Sequence, residues 1–511
     1  MLFALALSAT LASSPASCEA LKSISLPNTT IVAAEMLPAG PFVPPGRGAA
    51  AAPPAPASDG RGRAGGGGGT FIAAPQIAPA HCRINAILRP SPDSEIEMEA
   101  WLPENWNGKF QFVGGGGWAG IISFPAMVSA LQEGYATAST DTGHKGGNAL
   151  FAIDHPEKVV DFAYRAVHET TVQTKALIAK YYERPARLSY WNGCSTGGRQ
   201  GLMEAQKFPD DFDAIIAGAP ANYQTHLHAW DLSVAVPVLN NPAAALTQPQ
   251  LRALTEAATE ACDAQDGVKD GLISNPRVCK FDPAVLLCKG AGGPRCLTPP
   301  QLDAVKRAYA TTKTKGGASV FPGKEPGSEY RWMAFLGGGA APGVSVGSFQ
   351  VAYNDASWDP KTFDLDRDLK LTDDKVGTII NAVNPDLSAF KSHGGKLLLY
   401  HGWNDTAISP GNTINYYESV LKKMGGRQDD FVRLYMAPGM QHCGGGPGPN
   451  QINYMAIMER WREGNQTPAS IEAYHVTNNR VDMTRPLCPY PQVATYKGAG
   501  SPNDAGNFSC R

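Results

Sequence analysis

The feature that most constrains the fold of this chain is the pentapeptide Gly193-Cys194-Ser195-Thr196-Gly197. Residues 188–191 before it are apolar and aromatic, which predicts a short buried strand, and residues 199–208 after it carry apolar side chains at helical spacing. Strand, sharp turn and helix are the context of a nucleophile elbow, in which a strained turn exposes a serine hydroxyl. A glycine-rich strand-to-helix loop without a catalytic role has the same local pattern, so other parts of the chain must distinguish these two interpretations.

A serine nucleophile needs a base and an acid that orients the base. Asp405 follows an apolar strand predicted at residues 396–400, and His442 follows another predicted at residues 431–436. Open α/β sheets gather their active sites at such strand ends, and the order Ser, Asp, His fits the elbow. His401 is a rival base, but it precedes the acid, and we predict a structural role for it. The sequence therefore predicts a triad of Ser195, Asp405 and His442.

Two cysteines flank the proposed triad. Cys194 directly precedes the serine and Cys443 directly follows the histidine, so a disulfide between them would hold the two catalytic loops together. Two separate buried thiols are the alternative. The chain has ten cysteines, which is typical of a disulfide framework in an exported protein. A zinc site is the other use of many cysteines, but no CxxC or HxxxH spacing supports it.

Composition changes along the chain predict its domains. At 511 residues the chain is too long for one simple core. Residues 38–69 are rich in Pro, Ala and Gly and are predicted to be a flexible insertion. Residues 71–220 and 390–511 carry the strands, a helix at 156–182 and the elbow, and form the predicted catalytic domain. Residues 221–389 are polar and broken by Gly and Pro, which predicts an inserted lid domain.

Charge and hydropathy limit the partners and indicate the compartment. The net charge of −2 favours neither nucleic acid nor an anionic membrane as a partner, and no internal apolar run has spanning length. Residues 1–17 resemble the apolar core of a secretory signal and are predicted to be a signal peptide, although they lack the usual basic start. These features predict a secreted or periplasmic protein.

Several further motifs carry a resemblance to a known family. They are the Cys-Ser elbow, the His-Cys pair, Trp106-Asn107-Gly108, Asp141-Thr142-Gly143-His144, Ala217-Gly218-Ala219-Pro220, Pro438-Gly439-Met440-Gln441-His442-Cys443 and Cys488-Pro489-Tyr490-Pro491. With these motifs the chain resembles the tannase and feruloyl esterase family, which includes hydrolases of mono(2-hydroxyethyl) terephthalate. The resemblance runs from Cys18 to Cys510 and implies an α/β-hydrolase fold with a large inserted lid domain.

The resemblance also implies a function. It predicts a serine carboxylic-ester hydrolase acting on small aromatic esters of the feruloyl, galloyl or terephthaloyl type. A catalytically silent binding protein for phenolic compounds and a serine peptidase on the same fold are the alternatives. Five aromatic residues of the lid domain are candidates to stack on a substrate ring, with a place in the core as the other interpretation: Trp332, Phe335, Phe349, Tyr353 and Trp358.

The family pattern implies disulfides and completes the oxyanion hole. The implied disulfides are Cys18–Cys82, Cys194–Cys443, Cys262–Cys279, Cys288–Cys296 and Cys488–Cys510. The elbow itself predicts that one oxyanion N–H belongs to Thr196, the residue after the nucleophile. The second should come from the glycine run 114–117 after a predicted strand, and similarity to the family favours Gly117.

A second chemical signature lies in the predicted lid domain. Three aspartates within eight residues, Asp263, Asp266 and Asp270, offer the oxygen ligands that Ca²⁺ prefers, although surface Asp-Gly turns have the same pattern. The resemblance favours calcium, since the lid of the family carries such a loop. It implies a structural Ca²⁺ bound by the three aspartate side chains and by the backbone carbonyls of Val268 and Leu272.

Overall fold

The computed structural model describes residues 17–44, 76–290 and 292–511. Residues 1–16 of the predicted signal peptide and residues 45–69 of the predicted flexible insertion lie outside this range. Part of the segment predicted to be flexible is ordered in a short strand, because Gly40–Pro41 pairs antiparallel with Ile77–Ala78. None of the described helices is long and apolar enough to cross a membrane.

A nine-stranded sheet forms the centre of the protein. The strands in chain order are β1 Thr29–Leu37, β2 Gly40–Pro41, β3 Ile77–Ala78, β4 His81–Leu88, β5 Ile96–Pro103, β6 Lys109–Val113, β7 Ala136–Thr140, β8 Leu188–Cys194, β9 Ala214–Gly218, β10 Thr312–Lys313, β11 Ser319–Phe321, β12 Lys396–Gly402, β13 Val432–Ala437, β14 Ile471–Thr477, β15 Arg480–Leu487, β16 Ala494–Tyr496 and β17 Phe508–Cys510. The order across the sheet is β1-β4-β5-β7-β6-β8-β9-β12-β13. The strands from β7 to β13 in this order are parallel, so their carboxyl ends share one edge.

Helices cover the sheet and build the region that is inserted between β9 and β12. They are α1 Phe124–Gln132, α2 Pro156–Val160, α3 Ala166–Tyr181, α4 Thr196–Lys207, α5 Gln224–Asn240, α6 Gln248–Cys262, α7 Pro299–Tyr309, α8 Met333–Leu336, α9 Gly343–Tyr353, α10 Leu365–Thr372, α11 Thr378–Ile380, α12 Ser388–Ser392, α13 Pro410–Lys423 and α14 Tyr454–Gly464. One π-helical turn, Asp161–Arg165, joins α2 to α3. The helix predicted at residues 156–182 is therefore continuous apart from this turn.

The sheet begins earlier in the chain than the predicted catalytic domain. Strand β1, upstream of residue 71, pairs with β4 along its whole length and forms one edge of the sheet. Its side chains are only partly buried, as expected for an edge strand, and the disulfide Cys18–Cys82 ties the preceding segment to β4. The weak burial of β1 explains why its sequence shows only a weak alternation of apolar and polar residues, the pattern that predicts a strand.

The described residues of the lid region (residues 221–389) contribute no strand to the nine-stranded sheet. This region has a hydrophobic core of its own, in which Trp230, Trp332 and Phe349 are fully buried. The five lid aromatics singled out from the sequence all belong to this core or pack against it. For most of them the core interpretation therefore accounts for the side chain.

Gly193 and Gly197 allow β8 and α4 to approach closely at the elbow. A Cβ atom on Gly193 would lie 2.6 Å from the carbonyl oxygen of Gly197. We expect Gly193→Ala to lower the free energy of unfolding by roughly 1–3 kcal/mol, because backbone atoms would have to move. Thermal unfolding would measure this against Gly147→Ala, where no described atom beyond the two chain neighbours lies within 4 Å of the added carbon. Equal melting temperatures for the two variants would show that the elbow tolerates a side chain.

Candidate active site

Ser195 lies in the turn between β8 and α4, in the strand–turn–helix context that the sequence predicts. Its backbone has φ 65° and ψ −124°, a strained conformation for a residue with a side chain. The Ser195 N–H donates to the carbonyl of Gly218 at 2.9 Å, which anchors the turn to the neighbouring strand β9. The turn thus exposes the serine at the carboxyl edge of the sheet.

Asp405 and His442 meet at the same edge. Asp405 follows β12 and His442 follows β13, and these two strands are adjacent and parallel. His442 Nδ1 lies 2.7 Å from Asp405 Oδ2, and the Asp405 side chain is fully buried while that of His442 is 21% exposed. The aspartate therefore holds one nitrogen of the imidazole and leaves the other free to act on a substrate.

The Asp405 carboxylate is bound on both oxygens. Oδ1 accepts hydrogen bonds from the N–H groups of Ala407 (2.8 Å) and Ile408 (2.9 Å), and Oδ2 lies 3.0 Å from His401 Nε2. Burial alone would raise the pKa of this carboxyl, but the charge of His442 and the hydrogen bonds from both histidines outweigh burial and hold its pKa well below the usual range. Asp405 is therefore ionised at neutral pH.

His401 supports the aspartate rather than the serine. Its fully buried ring has Nε2 next to two acceptors, Asp405 Oδ2 and the carbonyl of Ile408 (3.2 Å), so we assign the proton to Nε2. Its Nδ1 lies 2.8 Å from the hydroxyl of Thr413. Because both nitrogens are occupied within the protein, His401 has no nitrogen left to act as the base for Ser195.

A disulfide links the two loops that carry the serine and the histidine. Cys194 and Cys443 are bonded across 249 residues, with Cα atoms 5.9 Å apart. The other disulfides are Cys18–Cys82, Cys262–Cys279, Cys288–Cys296 and Cys488–Cys510, so every cysteine is paired as the family resemblance implies. Among the described residues Ser195 Oγ has no hydrogen-bond partner, so the structure shows the Asp405–His442 pair but no hydrogen bond between Ser195 and His442.

Two backbone N–H groups next to Ser195 have no partner within the described part of the chain. They belong to Gly117, which has φ 56°, and to Thr196, the first residue of α4. The Thr196 hydroxyl donates to the carbonyl of Gly117 at 2.9 Å, which joins the two segments. Both residues line the same cavity as Ser195. Free N–H groups beside a serine hydroxyl are the arrangement that an oxyanion hole requires.

The active-site cavity, as we call the space around Ser195, has a volume of about 260 Å³. One face of α5 lines it with residues at helical spacing, namely Gln224, Leu227, His228 and Asp231. Loops and helices complete the wall with mainly apolar residues, among them Ala334, Phe335, Pro342, Val344 and Ile408. Of the five lid aromatics considered from the sequence, Phe335 is the one that lines this cavity.

Sequence reasoning missed the α5 face. Its polar members stand at positions i, i+4 and i+7 of a helix that starts just after the carboxyl edge of the sheet. Polar side chains at this spacing on one face of an otherwise buried helix are the sequence pattern that could have indicated this part of the site.

The three aspartates of the predicted calcium loop are close together in the chain and largely buried. Asp263 accepts hydrogen bonds from the N–H groups of Asp270 and Gly271, both at 3.0 Å. Asp266 accepts one from the Ser274 hydroxyl at 2.6 Å, and Asp270 pairs with Arg485 at 2.6 Å. Three carboxylates thus have one guanidinium between them, and their charge and hardness suit a divalent oxygen-seeking cation. Their oxygens do not all lie within 4.8 Å of one another in this structure.

A different cluster meets a simple distance test for metal binding. Among the described residues, His168, Glu204 and Asp211 form the group of three whose potential ligand atoms lie within 4.8 Å of one another. His168 Nδ1 already contacts Asp211 at 2.7 Å, and burial raises the pKa of Glu204 well above its ordinary value. A protonated Glu204 beside Asp211 satisfies this cluster without a metal ion.

A serine elbow at the carboxyl edge of a largely parallel sheet, with an acid and a histidine after later strands, defines an α/β-hydrolase. The predicted fold class is confirmed by solved structures. The crystal structure of feruloyl esterase B from Aspergillus oryzae matches with a TM-score of 0.86 at 30% identity, covering 97% of this chain and 99% of that chain.

Within that class, the chain belongs to the tannase and feruloyl esterase family, because the model of "Tannase and feruloyl esterase" matches residues 82–511. An uncharacterised esterase of Xanthomonas campestris pv. campestris is 36% identical over 98% of this chain and 92% of its own length. The mono(2-hydroxyethyl) terephthalate hydrolase of Piscinibacter sakaiensis is 33% identical over 84% of this chain and 85% of its own. The predicted family is thus confirmed, and the protein is a carboxylic ester hydrolase.

Proposed function

We propose that this protein hydrolyses esters of aromatic acids through an acyl-enzyme, with Ser195, His442 and Asp405 as the catalytic triad. The observation that carries the proposal is that Ser195 shares a largely apolar cavity with the two free N–H groups of Gly117 and Thr196. A nucleophile, an oxyanion site and room for an apolar acyl group therefore coincide.

The chemistry follows from these positions. His442 takes the proton of Ser195 Oγ as the oxygen attacks the ester carbonyl, and the N–H groups of Gly117 and Thr196 bind the oxyanion. The tetrahedral intermediate collapses, His442 protonates the departing alcohol, and an ester of Ser195 remains. Water, deprotonated by His442, then attacks this ester and releases the acid and the free serine. Asp405 holds the imidazole tautomer and stabilises the imidazolium.

The substrate class rests on the relatives and on the cavity. Relatives bear the names feruloyl esterase and mono(2-hydroxyethyl) terephthalate hydrolase, and both names denote esters of aromatic acids. A wall with Leu227, Phe335 and Val344 would pack against a planar ring and exclude water from it. A cavity of about 260 Å³ suits one aromatic acyl group, with the alcohol left outside.

A substrate panel tests the proposal. Methyl ferulate, methyl gallate and mono(2-hydroxyethyl) terephthalate would be assayed with wild type and Ser195→Ala, with casein as a peptidase substrate. We expect turnover of at least one aromatic ester by wild type, none by the variant, and no casein digestion. Binding of these esters without turnover would indicate a binding protein, and casein digestion a peptidase.

We further infer a structural Ca²⁺ in the lid region. Asp263, Asp266 and Asp270 would supply carboxylate oxygens, and Val268 and Leu272 would supply carbonyl oxygens. The disulfide Cys262–Cys279 closes this loop, which supports a preformed site. The bound ion would neutralise the excess negative charge of the buried aspartates and fix the loop.

Chelation should therefore lower the melting temperature by several degrees, because an ion that binds only the folded state stabilises it. Ester turnover at low temperature should persist, since none of the five proposed ligands lines the active-site cavity. Metal analysis and thermal unfolding with and without EDTA would measure this, and the variant Asp266→Asn should show a smaller shift. Purified protein without calcium and without any EDTA shift would contradict a calcium site.

An exported location completes the proposal. Five disulfides form and persist in an oxidising compartment such as the periplasm or the extracellular space. Fractionation of the source cells should find the ester hydrolase activity outside the cytoplasm. Activity confined to the cytosolic fraction would contradict this part.

A further inference from the structure

Asp231 is a charged group in an otherwise mainly apolar part of the active-site cavity. It stands on the cavity face of α5, two helical turns beyond Gln224, which is about 10 Å along the helix axis. The start of this helix is fixed at the nucleophile, because the Ala221 N–H donates to the carbonyl of Ser195 at 3.1 Å. The cavity thus extends along α5 from Ser195 to Asp231.

The Asp231 carboxylate is buried but not saturated with hydrogen bonds. Its residue is 7% exposed, and Oδ2 accepts one hydrogen bond from the Ser345 hydroxyl at 2.6 Å. Within the described chain Oδ1 accepts none, although an ionised carboxylate has about four acceptor positions. A buried charge normally finds more partners than this. Asp231 lines the cavity, so its spare acceptor is available to a ligand.

The charge of Lys324 favours the ionised form of this carboxylate. The buried ammonium of Lys324 lies 4.5 Å from the centre of the ring of Trp230, the residue that precedes Asp231. Its charge acts on the Asp231 carboxylate. Burial raises the pKa of Asp231 to about 6, and Lys324 and Ser345 oppose this rise. At pH 7 and above the group is therefore mainly a carboxylate, which is a hydrogen-bond acceptor only.

We propose that Asp231 is a specificity residue that accepts a hydrogen bond from a phenolic hydroxyl on the acyl ring of the substrate. This rests on the proposed function and narrows its substrate class to ring-hydroxylated aromatic acids. Leu227 and Phe335 pack on the ring of the acyl group. The ester carbonyl lies at Ser195, and the phenolic hydroxyl reaches Asp231 at the other end of the cavity. The O–H then satisfies a carboxylate that the protein leaves partly unpartnered.

The same geometry disfavours a terephthaloyl group. A ring with a second carboxylate would place a negative charge against Asp231 in a buried site, where like charges repel strongly. The cation that also lines the cavity, Arg331, has an exposed side chain and so lies on the solvent side. The innermost charged group that the ligand meets is therefore an acceptor of hydrogen bonds.

A matched pair of substrates tests this assignment. Methyl 4-hydroxycinnamate and methyl 4-methoxycinnamate differ only in the donor hydrogen and one methyl group. We expect wild type to prefer the hydroxyl compound in kcat/KM by roughly 10- to 100-fold, the usual effect of a hydrogen bond to a charged group. In Asp231→Leu this ratio should fall close to one, and in Asp231→Asn, which keeps a neutral acceptor of the same size, it should be intermediate.

Controls separate this inference from the proposed function. Asp374→Asn removes an exposed carboxylate of the same lid region and should keep the wild-type ratio. Binding of 4-hydroxycinnamic and 4-methoxycinnamic acid, measured by calorimetry, tests the subsite without catalysis and should show the same preference. If Asp231→Leu does not fold, the ratio of kcat/KM for the two cinnamate esters is compared between wild type and Asp231→Asn instead.

An unchanged ratio in the Asp231 variants, or a wild type that hydrolyses monomethyl terephthalate as well as the hydroxycinnamate, would overturn the assignment while leaving an active esterase. Loss of the proposed function would look different: neither cinnamate would be hydrolysed, or hydrolysis would persist in Ser195→Ala.

Discussion

Replacement of Ser195, His442 or Asp405 by alanine is expected to lower kcat for an aromatic ester by roughly 10³-fold or more, with the fold intact. Each residue acts only through the others, since His442 needs Asp405 for its tautomer and Ser195 needs His442 for its proton. The free N–H groups and the cavity remain in all three variants and should sustain the residual rate. Steady-state kinetics with circular dichroism as the folding control would measure this.

His401→Ala is the informative comparison for the base. It removes one of the hydrogen bonds to Asp405 but leaves those from Ala407, Ile408 and His442 in place. Its loss of kcat should therefore be much smaller than that of His442→Ala. If His442→Ala kept near-normal turnover while His401→Ala abolished it, the assignment of the base would be wrong.

The elements that carry the proposed triad could be predicted from the sequence because their signals are local. The glycines around Ser195 reflect a close approach of β8 and α4, and strands β12 and β13 are mostly apolar, as is typical of buried parallel strands. Edge strand β1 alternates weakly and is separated from β4 by the low-complexity segment, so its place in the sheet was missed. Its pairing depends on a partner distant in the chain.

Other parts of the site depend on tertiary packing. A run of four glycines does not reveal which N–H lies beside Ser195, and Gly117 is distinguished by its backbone conformation, its contact with Thr196 and its place in the cavity wall. Asp231 becomes notable only when Ser345 and Lys324, more than 90 residues away, are placed beside it. Family resemblance favoured Gly117 for the proposed oxyanion site, but no local pattern indicated Asp231.

Removal of the disulfide Cys194–Cys443 should reduce catalysis more than substrate binding. On the loop-entropy model a crosslink across 249 residues stabilises the fold by about 5 kcal/mol, so the double alanine variant should also melt earlier. The larger consequence concerns geometry, because each cysteine is the direct neighbour of a proposed catalytic residue. A shift of about 1 Å between Ser195 and His442 would lower kcat by roughly 10²-fold, while KM should change little.

Removal of the disulfide Cys288–Cys296 is the matched control. This disulfide closes a short loop of the lid region, with a sequence separation of 8, and neither cysteine lines the active-site cavity. That variant should lose some stability and keep its kcat. Assays well below both melting temperatures separate geometry from unfolding. A Cys194/Cys443 variant that melts earlier but retains wild-type kcat would mean that the sheet edge alone positions Ser195 and His442, and that the disulfide serves stability only.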